Sequence, residues 1–307
     1  MSTRPALVTA ADAGYFPLLQ GLVASIRERQ RREVELCCLD IGLSEEQAAW
    51  ARANMNRVVR PDWPTAALAR RGLRLSVMGQ LARPFLPDLF PGAPAYLWID
   101  SDTWIQDWDS VELFLAAADH ADLAIVTESH PRYDGSRGKA MEQLRARRHY
   151  YIAYYDQETA ERFQLRPVFN CGVFAMRAGS PYWAHYRREL LHCAEADDLK
   201  YVDQISLNRA IWLNGCETAL PTRHNWLCNN ARPLLDADAS RLIEHYYPHE
   251  PIGVVHLAGP NKTTQYRATS LRRRDGGTAA VDLFYEDFKA WTVAQRQGGS
   301  TAHTSLG

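Results

Sequence analysis

A chain of 307 residues with 46% hydrophobic and 23% charged side chains has the composition of an ordinary soluble protein, long enough to bury a sizeable core and unlike a disordered chain. Its formal net charge of -1 argues against a general polyanion binder, so no nucleic-acid partner is expected. The six cysteines, Cys37, Cys38, Cys171, Cys193, Cys216 and Cys228, lack both zinc-site pairing and the density of a disulfide scaffold; with no visible signal peptide and no apolar run of the roughly 18 to 20 residues a membrane span needs, a cytoplasmic enzyme is the expectation.

In chain order, Pro5–Thr9 reads as a short apolar strand, Ala10–Tyr15 as a loop, and Phe16–Arg27 as a helix on the spacing of Leu18, Leu19, Leu22, Val23 and Ile26. Val34–Leu39 is a second strand, and Ser44 with Glu46 and Gln47 behind it opens a helix to about Asn56. Val58–Arg60 is a third strand, Leu73–Arg83 a helix that Pro84 and Pro87 stop, and Ala95–Ile99 an apolar strand ending at Asp100. Leu123–Thr127 is a further strand, so elements alternate as in a parallel-sheet α/β fold. His130–Glu161 breaks the alternation with many Arg and Tyr residues and a start marked by Gly135 and Gly138, as a lid or binding segment would. Phe169–Met176 returns to strand, Pro181–Ala194 and Asp203–Leu213 are helices, and Gly253–Leu257 is a late strand. Residues 1–270 form the main domain on this reading; 271–307 comprise a basic linker around Arg272–Gly277, a last helix at Val281–Gln295 and a disordered polar tail from Arg296.

The strand ending Trp98-Ile99-Asp100-Ser101-Asp102 sets two carboxylates at the C-terminal edge of the sheet, where open α/β sheets bind ligands. Acids so placed suit a hard cation such as Mn²⁺ or Mg²⁺ that also takes phosphate oxygens; without one, two buried acids repel. The bland alternative is a turn with two solvated acids. His256-Leu-Ala-Gly259-Pro-Asn-Lys262, directly after a strand, adds an imidazole, a glycine that permits close backbone approach and a cationic head for phosphate.

Together these residues resemble glycosyltransferase family 8, retaining enzymes with a GT-A fold. The likeness spans most of Ala6–Lys262 and rests on Asp12 before Tyr15, Arg83, Asp100-Ser101-Asp102, Phe169-Asn170-Cys171-Gly172-Val173, Asp203-Gln204 and His256-x-x-Gly259-x-x-Lys262. The resemblance implies a Rossmann-like, mixed but mostly parallel central sheet flanked by helices. It implies a UDP-sugar donor, with Asp12 and Tyr15 on the uridine, Gly259 and Lys262 on the diphosphate, and Asp100, Asp102 and His256 on Mn²⁺ (or Mg²⁺). Arg83, Asp100, Asn170, Asp203 and Gln204 would surround the donor hexose. Gln204, a poor nucleophile, lies nearest the reacting carbon in this pattern, so front-face attack by the acceptor is the favoured mechanism; Asp203 trapping a glycosyl intermediate is the alternative.

The sequence departs from the pattern at Gly14, where relatives often carry Asn, and at Ile205, where many carry a second acid. Trp98, Trp104 and Trp108 are candidates to stack on a sugar or base, or else core. Asp203 could also serve as a helix N-cap. A haloacid-dehalogenase-like phosphatase is a weaker rival, since Trp104 stands where that family wants Thr or Val. A nucleotidyltransferase would show a Gly-rich basic loop after the first strand, and Ala10–Tyr15 is not one. A nucleotide-sugar-binding protein without transfer activity stays open. The acceptor, a glycan, a lipid-linked glycan or a small molecule, falls to His130–Glu161 and Trp226–Arg232, and Arg272–Arg274 with the last helix could touch a membrane surface.

Overall fold

The computed structural model describes residues 4–300 apart from 129, 131, 134–139, 216 and 239. Strand β1 (Ala6–Ala11) is buried along its whole length, and α1 (Phe16–Arg29) turns Leu18, Leu19, Leu22, Val23 and Ile26 inward. Pro17 opens that helix at a position where its missing N–H costs nothing. Strand β2 (Glu35–Asp40) leads to α2 (Glu45–Asn54), whose start is fixed by a reciprocal capping box between Ser44 and Gln47, and then to β3 (Arg57–Val59).

In place of a single helix over Leu73–Arg83, the chain from Ala66 to Leu89 is a series of short turns. These are α3 (Ala66–Ala69), a 3₁₀ turn at Leu75–Val77, α4 (Met78–Leu81), a 3₁₀ turn at Arg83–Phe85 and α5 (Leu86–Leu89). Pro84 and Pro87 do not end the helical path; each occupies the first turn of the next short helix. Beyond them run β4 (Ala95–Ile99), β5 (Thr103–Ile105), α6 (Asp109–His120) and β6 (Leu123–Thr127). The Arg- and Tyr-rich excursion contains α7 (Ala140–Tyr154) and α8 (Gln157–Phe163); Gly135 and Gly138, with Arg137 and Lys139, lie outside the described residues. Then come β7 (Phe169–Arg177), α9 (Tyr182–Cys193), α10 (Val202–Asn214), β8 (Glu217–Leu220), β9 (Trp226–Leu227), β10 (Leu234–Leu235), β11 (Leu242–Ile243) and β12 (Val254–His256).

Seven strands form the central sheet in the order β3-β2-β1-β4-β7-β6-β8. All neighbours are parallel except β7, which runs antiparallel to both β4 and β6, so β4 and β6 point the same way and end at one edge. One face is covered by a core including Val8, Trp98, Phe174 and Tyr186, the other by Leu7, Leu97, Ile99 and Phe114. Helices on both faces of a mostly parallel sheet are the expected α/β architecture.

A second sheet, β5-β12-β9, lies beyond the end of β4. In it His256 is paired with Thr103 and Val255 with Trp104, which carries the late strand to the acidic turn. Trp104, Trp226, Tyr285 and Phe288 form the core beneath. Trp98, Trp104 and Trp108 are all buried at 3% exposure or less, which makes them core and not open stacking platforms.

The chain past the expected boundary at residue 270 is also structured. Strands β13 (Thr269–Arg272) and β14 (Thr278–Val281) make an antiparallel hairpin, so Arg272–Gly277 is a strand end and turn in place of a linker. Alternation explains it: Leu271 and Val281 are buried, and Arg272 is exposed. Helix α11 (Tyr285–Ser300) starts later than expected and continues through the beginning of the anticipated tail; residues 301–307 lie outside those described. Arg273 and Arg274 pair with Asp275 and Asp236. Among the described residues no helix is long and apolar enough to cross a membrane.

Candidate active site

The β4 strand stops at Asp100 because the chain turns there: the Thr103 N–H and hydroxyl both bond the Asp100 carbonyl, at 3.1 and 2.7 Å. That turn leaves Asp100 partly buried and Asp102 only 2% exposed. His256 Nε2 lies 3.4 Å from Asp102 Oδ1 and 3.9 Å from Asp100 Oδ2. One ligand atom from each of the three residues falls within 4.8 Å of the others. Gly172 makes the space, since a methyl group on it would lie 2.5 Å from His256 Cε1 and 2.7 Å from Asp100 Oδ2.

The charges around this cluster are fixed from behind. Arg83 is buried and donates to Asp100 Oδ1 at 2.9 Å and to the Cys171 carbonyl at 2.7 Å; its guanidinium is 2.9 Å from Asp203 Oδ2 and covers the Trp98 ring at 4.7 Å. Trp98 Nε1 donates to the same Asp100 oxygen at 2.8 Å. Burial pushes the Asp100 carboxyl up, with Asp102 adding to the effect and Arg83 opposing it. Burial acts the same way on Asp102, but His256 and Lys262 outweigh it and hold that carboxyl well below the usual range. Lys262 makes an ion pair with Asp102 and lies over the Tyr15 ring at 5.3 Å. Burial would lower the Lys262 pKa, but Asp102 raises it further, so the ammonium stays charged.

Two acids, one raised by burial and by its neighbour, together with an imidazole nitrogen, are a donor set that fits Mn²⁺ or Mg²⁺. Asp12, Tyr15, Arg83, Trp98, Asp100, Asp102 and Lys262 line a single cleft. One Asp12 oxygen accepts the N–H groups of Gly14 and Tyr15 at 3.0 and 3.1 Å, so the turn that presents Tyr15 is itself built by Asp12. Gly259 is outside that lining: it takes φ +104° and is packed against Asn229 and Gln265.

The remaining sugar-side candidates are joined by hydrogen bonds. Asn170 Nδ2 donates to Glu128 at 3.2 Å, and Gln204 Nε2 donates to the same carboxylate oxygen at 2.8 Å. Gln204 lines a second cavity with Glu128, Arg147, Tyr150 and Tyr201. Asp203 is not the N-cap of α10; Tyr201 holds that place in a left-handed conformation, and Asp203 sits in the first turn facing Arg83. Glu128 and Asn225, which hydrogen bonds join to these candidates, do not stand out in the sequence pattern. Glu128 follows β6 as Asp100 follows β4, at the same edge, which was a usable signal; Asn225, in a 3₁₀ turn at Thr222–Asn225, offered none. Trp226, expected on the acceptor side, is fully buried against Tyr133.

Solved structures that match this fold include glycosyltransferases. The chain matches an active-site mutant of LgtC and a complex of the galactosyltransferase LgtC with donor and acceptor sugar analogues, with TM-scores of 0.52 and 0.51, 17% identity, and coverage of 94% of this chain and 95% of theirs. It matches the bifunctional glycosyltransferase WbbM in its apo form (TM-score 0.55, 15% identity, 97% of this chain and 52% of that one). The glycosyltransferase GlyE of Streptococcus pneumoniae TIGR4 matches at TM-score 0.52 and 15% identity over 98% of this chain and 64% of that one. No protein-family model and no curated protein matches the chain. The chain thus has the α/β fold of these glycosyltransferases, as the resemblance in its motifs implied.

Proposed function

We propose that this chain is a metal-dependent, retaining glycosyltransferase that moves a hexose from a UDP-sugar to a hydroxyl acceptor, releasing UDP. The observation that carries the reading is the convergence of Asp100, Asp102 and His256 within 4.8 Å of one another, with both acids lining a cleft that also holds Tyr15 and Lys262. Asp100, Asp102 and His256 would hold Mn²⁺ or Mg²⁺, which when bound supplies positive charge for a departing diphosphate.

The chain's own residues do the rest. Lys262 neutralises phosphate oxygen and Tyr15 offers its ring to the uracil or ribose, while Asp12 shapes the turn beneath. Arg83 keeps Asp100 and Asp203 from repelling and holds Asp100 Oδ1, which leaves Oδ2 on the side of His256. Glu128 takes the Gln204 amide N–H, which turns the Gln204 carbonyl away from Glu128 and orients it for the sugar. Asp203 is 5% exposed and committed to Arg83, which favours front-face attack over a glycosyl-Asp203 intermediate. The dehalogenase-like phosphatase reading asks Asp100 to attack a phosphate, yet one of its oxygens is occupied by both Arg83 and Trp98.

The test is UDP release from a panel of UDP-hexoses with and without Mn²⁺. Metal-dependent release that disappears in Asp102→Ala supports the reading. UDP binding without release makes the chain a binding protein, and no UDP binding in any condition removes both.

A further inference from the structure

A row of hydrogen bonds behind the cleft reaches His256 from the side opposite the two acids. His256 Nδ1 is 2.8 Å from Asn225 Oδ1, Asn225 Nδ2 donates to Asn170 Oδ1 at 2.9 Å, and the Gly172 N–H donates to that same Asn170 oxygen at 3.0 Å. Asn170 Nδ2 ends the row on Glu128 at 3.2 Å. Asn225 is fully buried, and Tyr133 donates to its backbone carbonyl at 3.2 Å.

The direction of this row follows from its two fixed ends. A backbone N–H can only donate and a carboxylate can only accept, so Gly172 requires oxygen from Asn170 on one side and Glu128 requires nitrogen from it on the other. Asn170 is therefore set in one orientation, and its oxygen in turn requires the amide nitrogen of Asn225. The Asn225 oxygen must then face His256. An oxygen at 2.8 Å demands a proton on Nδ1, so when the ring is neutral it is Nε2 that carries the lone pair, on the side of Asp100 and Asp102. Reversing the Asn225 amide would set two oxygens against each other, and reversing Asn170 to relieve them would lose the Gly172 bond and face Glu128 with oxygen.

We infer that Asn225 is a positioning residue, which acts through His256 by fixing the ring tautomer and plane that make Nε2 a metal ligand. The inference rests on the reading of Asp100, Asp102 and His256 as a cation site. The Gly172 carbonyl also accepts the Asp100 N–H at 2.8 Å, so the two backbone polar groups of one residue align a carboxylate ligand directly and the imidazole ligand through two amides. Partners of this kind behind a metal ligand typically contribute about 10- to 100-fold in metal affinity.

The experiment pairs two readouts on wild type, Asn225→Ala and Asn225→Asp. Long-range ¹H–¹⁵N correlation on metal-free protein at alkaline pH reads the His256 tautomer, and Mn²⁺ titration without nucleotide reads affinity. Expected are a single Nδ1–H tautomer in wild type, a mixture with Nε2–H in Asn225→Ala with Mn²⁺ affinity lower by about 10- to 100-fold, and recovery of the Nδ1–H tautomer in Asn225→Asp, which keeps the acceptor for His256 while losing the donor to Asn170. An Nε2–H tautomer in wild type, or unchanged Mn²⁺ affinity in Asn225→Ala, overturns the inference. If wild type binds no Mn²⁺, the cation-site reading fails; the inference then fails with it as a statement about a metal ligand, while the tautomer still decides whether Asn225 orients the ring.

Discussion

The ammonium of Lys262 forms an ion pair with the carboxylate of Asp102, the same acid that faces His256. In the free site this lysine therefore occupies electrostatically the place a divalent cation would take. On the proposed reading, lysine and metal would compete for Asp102 until a diphosphate receives the ammonium. Lys262→Ala is expected to raise Mn²⁺ affinity by about 10-fold in the absence of nucleotide and to lower UDP affinity by a similar factor. Calorimetric titration of each ligand alone checks it; weaker Mn²⁺ binding in the variant would contradict the competition.

Gly172 tolerates no side chain. A methyl group there would fall under 3 Å from His256 Cε1, Asp100 Oδ2 and Asn170 Oδ1 at once. Gly172→Ala should lose at least about 10-fold in Mn²⁺ affinity and most of the UDP release, with the far-ultraviolet circular dichroism unchanged. An unaltered Mn²⁺ titration would show that the three groups yield more easily than their packing indicates.

His224 predicts a pH dependence. Burial, with Arg223 second, pulls its pKa down to about 4, while its Nδ1 is 2.8 Å from the Ser110 hydroxyl. Because the folded value lies below the unfolded one near 6.5, the stabilisation is complete above that pH and is lost as pH falls toward 4. The loss is about 3 kcal/mol at most. Urea unfolding across this window should show that decline in wild type and a flatter profile in His224→Gln; identical slopes would assign the acid sensitivity elsewhere.

Asp203 is expected to form no covalent adduct. Its carboxylate oxygen Oδ2 is 2.9 Å from Arg83 and accepts the Cys171 thiol at 3.2 Å, contacts that an attacking oxygen would have to give up. Intact-mass analysis during turnover with a slow acceptor should show unmodified protein. A hexose mass increment localised to Asp203 would establish double displacement instead.

Much of this arrangement was legible in the sequence because apolar strands ending in acids leave a local trace. Ala95–Ile99 followed by Asp100, and Phe169–Met176 followed by a helix, could be read from alternation and termination alone. The direction of β7 could not: an antiparallel strand with both faces buried has the same apolar run as a parallel one. The turns before β4 failed for another reason, since Pro84 and Pro87 are compatible with either the end of a helix or the start of the next. At the site, Asp100, Asp102 and His256 carry recognisable spacing, while Asn225 does not, because its contact with His256 exists only after folding. The basic run at Arg272–Arg274 reads as a linker by composition, because the hairpin it belongs to becomes visible only once Thr269–Arg272 pairs with Thr278–Val281.

The small sheet that sets His256 opposite Thr103 has one more consequence. The two acids belong to the first half of the chain and the imidazole to its last quarter, and everything between them, including β6, β7 and α7 to α10, lies inside the loop that this pairing closes. A cation gripping all three side chains would be a removable cross-link across that loop, and its concentration would become a handle on unfolding. The temperature at which β5 and β12 separate should climb with manganese, and a nick within the intervening segment should leave two pieces that the ion still holds together.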